Sequence, residues 1–109
     1  MFAIIYRFDV RAGQEKAFEK TWHQLTQLIY EHEGSLGSRL HKDVSGSYIA
    51  YAQWPDKMAW EAAGDKLPIA ANDIRDAMLA NCDNIDVLYQ LDVVDDMWQP
   101  RKYGTFNTN

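Results

Sequence analysis

Cysteine is nearly absent from this chain. Cys82 is the only one in 109 residues, so no internal disulfide can form and no cysteine cage can hold a metal. Basic charge is scarce too: Lys and Arg total 11 against 16 Asp and Glu, a net charge of -5. An acidic surface argues against nucleic acid or an anionic membrane as partner. No apolar run approaches the length that crosses a bilayer, and the first residues lack a basic stretch leading into an apolar one. The cytoplasm is therefore the expected compartment. Three prolines and six glycines form no linker, and no repeat or low-complexity segment occurs. Hydrophobic content of 47% and charged content of 25% are ordinary for a folded globule, which excludes general disorder. The length suits one domain, near the low end for a self-sufficient core.

What the chain has is alternation. Phe2, Ile4, Tyr6 and Phe8 line one face of a first strand, with Ala3, Ile5, Arg7 and Asp9 on the other. Tyr48, Ala50, Ala52 and Trp54 oppose Ile49, Tyr51 and Gln53 in the same way. A last strand is expected at 85–94, with Ile85, Val87, Tyr89, Leu91 and Val93 opposing Leu88 and Val94. Between them, 14–33 has helical spacing: Phe18, Trp22, Leu25 and Ile29 recur as one stripe, and Gly34 follows as a closing residue. Residues 35–42 read as a strand with Leu36 and Leu40 on one face and Gly37, Arg39 and His41 on the other. Turn chemistry at 43–46 pairs this strand with the next in an antiparallel hairpin. Asp56 is placed to cap a helix from Lys57, Gly64-Asp65 interrupts it, and Pro68 suits the first turn of another with Ile74, Ala77 and Met78 on its apolar side.

The order is β-α-β-β-α-β, an α+β, ferredoxin-like fold with an antiparallel sheet, expected over residues 1–94. Two helical regions cover one side of such a sheet. The other side carries Ile5, Ile49, Tyr51, Leu88 and Val94, so its cover is expected to be a second copy of the chain. The tail, 95–109, is polar but holds Trp98, Tyr103 and Phe106. It reads either as a frayed terminus or as an arm that lays its aromatics on a partner subunit.

Two stretches carry a family resemblance. One is the first strand running into Val10-Arg11-Ala12-Gly13-Gln14-Glu15-Lys16-Ala17-Phe18. The other is Ile49-Ala50-Tyr51-Ala52-Gln53-Trp54-Pro55-Asp56-Lys57-Met58-Ala59-Trp60-Glu61. In kind and position these resemble the antibiotic biosynthesis monooxygenase family, the dimeric α/β-barrel group of ferredoxin-like proteins. The resemblance implies a homodimer whose sheets close face to face into a barrel, and a cavity between each sheet and its helices. Some relatives there oxidise phenolic polyketides with dioxygen and no cofactor, and others degrade haem. The haem-degrading branch uses an asparagine on the first strand and an iron-ligating histidine after the third. This chain has Tyr6 where the asparagine would lie and no histidine between Trp54 and Ile85, so haem has no axial ligand there. No cofactor and no metal are expected.

Cofactor-free oxygenation needs a dry aromatic pocket, a donor for the developing oxyanion and a base. Tyr6, Trp22, Trp54 and Trp60 are the expected ligand-binding wall, each an aromatic ring with an N–H or O–H to orient a small aromatic ligand. The competing interpretation makes all four core. Arg39 and His41 share a face with Arg7 and Gln53, either as polar filling of the barrel or with His41 as a base. Asp92, Asp95 and Asp96 suit a solvated terminus, and Cys82, without a nearby cation in sequence, suits a buried inert thiol. Two functions follow: a cofactor-independent monooxygenase for a small aromatic, quinol-like or polyketide compound, or a non-catalytic homodimer that binds a small ligand.

Overall fold

The computed structural model describes residues 1–99. It comprises β1 (Phe2–Val10), α1 (Glu15–His32), β2 (Gly37–Lys42), β3 (Tyr48–Trp54), α2 (Lys57–Glu61), α3 (Ala70–Ala80) and β4 (Cys82–Asp92). One antiparallel sheet runs β2-β3-β1-β4, so the chain has the expected α+β order with β1 at the centre. Tyr103 and Phe106 lie outside the described residues.

The β1–β3 register sets large against small on the helix-facing side. Ile4 pairs with Ala52 and Tyr6 with Ala50, while Phe2 meets Trp54 and Phe8 meets Tyr48. The alanines leave room for the stripe of α1. Phe18 fills it, fully buried, with ring centroids 5.0 Å from those of Phe8 and Tyr48. Burying such a ring contributes about 2 kcal/mol, and truncating it leaves a void that costs more. Two packed groups result. The larger holds Phe8, Phe18, Leu25, Tyr48, Met78 and Cys82; the smaller holds Phe2, Ile4, Ala52 and Trp54.

The punctuation follows backbone chemistry. Gly34 closes α1 at φ +78°, a conformation that favours glycine, and the Asp56 carboxylate caps α2 by accepting the Ala59 amide at 2.8 Å. α2 stops at Glu61, and Gly64 at φ +109° separates it from α3. In α3 the buried apolar positions are Ala71 and Met78, with Ile74 packed beside them; Ala77 is exposed.

Two facings differ from the sequence pattern. Ile5 pairs with Tyr89 but Tyr6 pairs with Val87, so Leu88 is an extra residue in β4. A bulge of this kind inverts the alternation beyond it. Tyr89 and Leu91 therefore join Ile5 and Ala3 on the sheet face away from the helices, and Gln90 takes their place on the helix side. β4 ends at Asp92, and Val93 and Val94 follow it as a bend, though the Val93 amide still donates to the Met1 carbonyl. In the second case Leu36 and Leu40 do not share an environment. Leu40 packs on the larger group, whereas Leu36 is half-exposed because it lies before β2, which begins only at Gly37 with φ +120°.

Candidate functional site: a hydrogen-bonded Tyr6–Trp60 pair between α2 and the sheet

Tyr6 stands mid-strand on β1, flanked by Ala50 on one side and Val87 on the other. These small neighbours leave space above the sheet that α2 only partly roofs. The Asp56 cap turns the chain sharply after β3, so Trp60 folds back and its ring lies 5.7 Å from that of Phe2. The Trp60 Nε1–H donates to the Tyr6 hydroxyl oxygen at 2.8 Å. A cavity of about 670 Å³ opens beside this pair, lined by Tyr6, Lys57, Trp60, Glu61, Ala63 and Gln90.

The bond assigns the donors. Trp60 has a single N–H, and Tyr6 takes it, so the indole is not free to hold a ligand. Tyr6 keeps its own O–H, for which no acceptor occurs among the described residues. Burial raises the Tyr6 pKa above its ordinary value, and the bond from Trp60 offsets this only in part. The phenol is therefore neutral at physiological pH and available as a donor.

The four expected wall residues divide. Tyr6 and Trp60 line the cavity. Trp54 is 4% exposed in the smaller core group, with Trp60 packed against it, and its indole nitrogen has no partner among the described residues. Trp22 packs on the larger group instead. Lys57, Glu61 and Gln90 were not singled out by the sequence reading. The first two stand one helical turn apart on α2, on either side of Trp60 in sequence. Gln90 reaches the site only through the Leu88 bulge, which no pattern announced.

The face of the sheet away from the helices holds a second hollow, of about 960 Å³. Ile5, Ile49, Tyr51 and Gln53 form its floor, and Arg39, His41 and Trp98 stand around it. Trp98 lies over the Arg39 guanidinium, 5.4 Å from ring centroid to Cζ, and its amide donates to the Asp96 carboxylate at 2.9 Å. His41 Nδ1 is 3.0 Å from the Ile49 carbonyl oxygen. A carbonyl only accepts, so Nδ1 is the donor in this contact. Arg7 is paired with Asp86 at 3.3 Å and with Asp9 at 3.6 Å. Cys82 is buried and its thiol pKa is pushed up by desolvation first, then by Asp83 and Asp9, which disfavours the thiolate. Among the described residues no group of three or more His, Cys, Asp or Glu is placed to hold a metal ion, and no helix is long and apolar enough to cross a membrane.

Known structures share this architecture. SnoaB from Streptomyces nogalater, described as a cofactor-independent oxygenase, superposes with a TM-score of 0.72 at 17% identity, over 90% of this chain and 97% of that one. Rv0793 from Mycobacterium tuberculosis gives 0.70 at 14% identity, over 89% and 98%. PA3566 from Pseudomonas aeruginosa gives 0.68 at 21% identity, over 86% and 94%. At such identities the likeness is one of fold. No curated protein matches the sequence. A sequence model described as antibiotic biosynthesis monooxygenase matches residues 1–66, which hold β1, α1, β2, β3 and α2 with Trp60, and the chain belongs to that family.

Proposed function

We propose that this protein is a cofactor-independent monooxygenase of a small, flat, weakly acidic aromatic or quinol-like compound, working as a homodimer. The observation that carries the reading is the Tyr6–Trp60 hydrogen bond at the edge of the cavity beside α2. It leaves a neutral phenol as donor where charge would develop on a bound ring. A donor so placed would stabilise that charge as it forms.

The chemistry balances without a cofactor. A deprotonated, electron-rich ring passes one electron to dioxygen, and the radical pair joins in a carbon–oxygen bond. Loss of water from the resulting peroxide leaves a carbonyl. For an anthrone, one CH₂ and one O₂ enter, and one C=O and one H₂O leave. The ring carbon gives up four electrons and dioxygen accepts four, so no outside reductant is needed. Family membership and the SnoaB fold support this reaction class.

The homodimer rests on the sheet face away from the helices. Ile5, Ile49 and Tyr51 sit there with Tyr89 and Leu91, the last two exposed at 60% and 39%. A second copy packed on this face would remove the patch from water. The second reading, a non-catalytic homodimer that binds a small apolar ligand, draws on the larger hollow over that same face. Dioxygen uptake with a panel of hydroquinones and anthrones separates the two. Turnover by the purified, chelator-treated protein supports the oxygenase; binding without uptake supports the second reading.

A further inference from the structure

We infer that the cavity beside α2 takes its ligand as an anion, with the ionised oxygen of a weakly acidic ring compound held between the Tyr6 hydroxyl and the Lys57 ammonium. This deepens the oxygenase reading of the same cavity. Three observations meet there. The Tyr6 oxygen already accepts from Trp60, which fixes the phenol and leaves its O–H as the group that can point to a ligand. Among the described residues Lys57 is the only cation in the cavity wall, and it makes no ion pair. Glu61 lies one helical turn beyond Lys57, on the same side of α2, and is the only carboxylate in the wall among the described residues.

The charges sort into roles. Tyr6, Lys57 and Glu61 are the titratable groups facing the cavity from β1 and α2, and Gln90 is the neutral polar group from β4. Asp92, the next helix-side position of β4, pairs with Phe2 beyond the wall, and Asp56 is engaged by the Ala59 amide. The ligand gives its proton to the Glu61 carboxylate, and the resulting oxyanion is stabilised by the Lys57 charge and the Tyr6 O–H. An anionic ring is a better one-electron donor to dioxygen than its neutral parent, so this step prepares the oxidation. Trp60 acts as a positioning residue through Tyr6. The site selects rings with an ionisable hydroxyl or an enolisable carbonyl and rejects their methyl ethers.

A spectral titration of 4-nitrophenol bound to the intact protein tests this without any turnover. The nitrophenolate band should appear about one pH unit lower in the complex than in free solution, as for an acid beside a cation. Lys57→Gln, at an exposed position, should remove most of the lowering, and Lys57→Arg should restore most of it. Glu61→Gln should lower the bound pKa further, because a like charge is removed, while slowing turnover. 4-Nitroanisole should bind much more weakly. A bound pKa equal to or above the free value, a lowering undiminished in Lys57→Gln, or no saturable binding of 4-nitrophenol would each overturn the inference. A lowered pKa without dioxygen uptake on any substrate would defeat the oxygenase reading alone, and uptake with an unshifted probe would defeat this inference alone.

Discussion

The indole N–H of Trp60 and the hydroxyl of Tyr6 are 2.8 Å apart across 54 residues of sequence. This bond ties α2 to the middle of β1 and decides which of the two side chains has a hydrogen left for a ligand. Trp60→Phe keeps most of the ring and removes the donor, so stability should fall by about 1 kcal/mol. Turnover should fall further than that loss accounts for. Tyr6→Phe removes the donor to the ligand and should lower kcat by about a hundredfold or more. Because Trp60 acts through Tyr6, the double variant should be no slower than Tyr6→Phe. Additive losses would mean that Trp60 touches the ligand itself, and unchanged turnover in Trp60→Phe with reduced stability would make it core.

Ile49 lies at the centre of the sheet face proposed as the dimer interface, paired with Arg7 and His41. Ile49→Asp places an unpaired carboxylate where a partner sheet would exclude water, and it should dissociate or unfold the protein. Sedimentation analysis checks this. A wild-type protein that stays monomeric at micromolar concentration would contradict the homodimer.

Trp98 covers Arg39 at the rim of the same face, so the segment after β4 is placed to contribute to whatever packs there. Removing 97–109 should weaken dimerisation or lower Tm. A cation–π contact of this kind is worth about 0.5–1 kcal/mol at an exposed site, so Trp98→Ala should reproduce a measurable part of the effect. A truncated chain equal to the full one in both respects would remove any structural role from the segment.

Tyr48 gives a pH signature. Its hydroxyl donates to Glu19, and desolvation first, then that carboxylate, push its pKa up to about 12 from the ordinary 10. The folded state thus favours the neutral phenol. Its contribution is fully present below about pH 10 and is lost as pH rises through about 12. Denaturant unfolding of wild type and Tyr48→Phe should show a stability difference that shrinks across that window. A constant difference from pH 8 to 12 would contradict the assignment.

Much of this was legible in the residues. The period-two pattern of β1 and β3, the α1 stripe ending at Gly34, and the Asp56 cap are local signals, and local chemistry decides them. The facing of β4 was not legible, because one unpaired residue at Leu88 reverses every side chain after it and leaves no mark in composition. That reversal moved Tyr89 and Leu91 to the open face and brought Gln90 to the cavity. The placement of the four aromatics was legible in part. Tyr6 and Trp60 are named by strand face and helix corner, but which tryptophan packs and which lines a cavity depends on the roof that α2 supplies. Lys57 and Glu61 carry no distinct signal in the sequence, because charged residues on a short helix usually mean a solvated face.

Labelled dioxygen tests the central claim most directly. The purified protein, freed of metal by chelation, is mixed with an anthrone or hydroquinone substrate under labelled O₂ and the products are weighed by mass spectrometry. The account predicts enzyme-dependent consumption of dioxygen, with one labelled atom in the oxidised ring and the other in water, and loss of that activity in Tyr6→Phe. No consumption above the uncatalysed rate on any substrate, or a product oxygen drawn from solvent before any exchange, would contradict it.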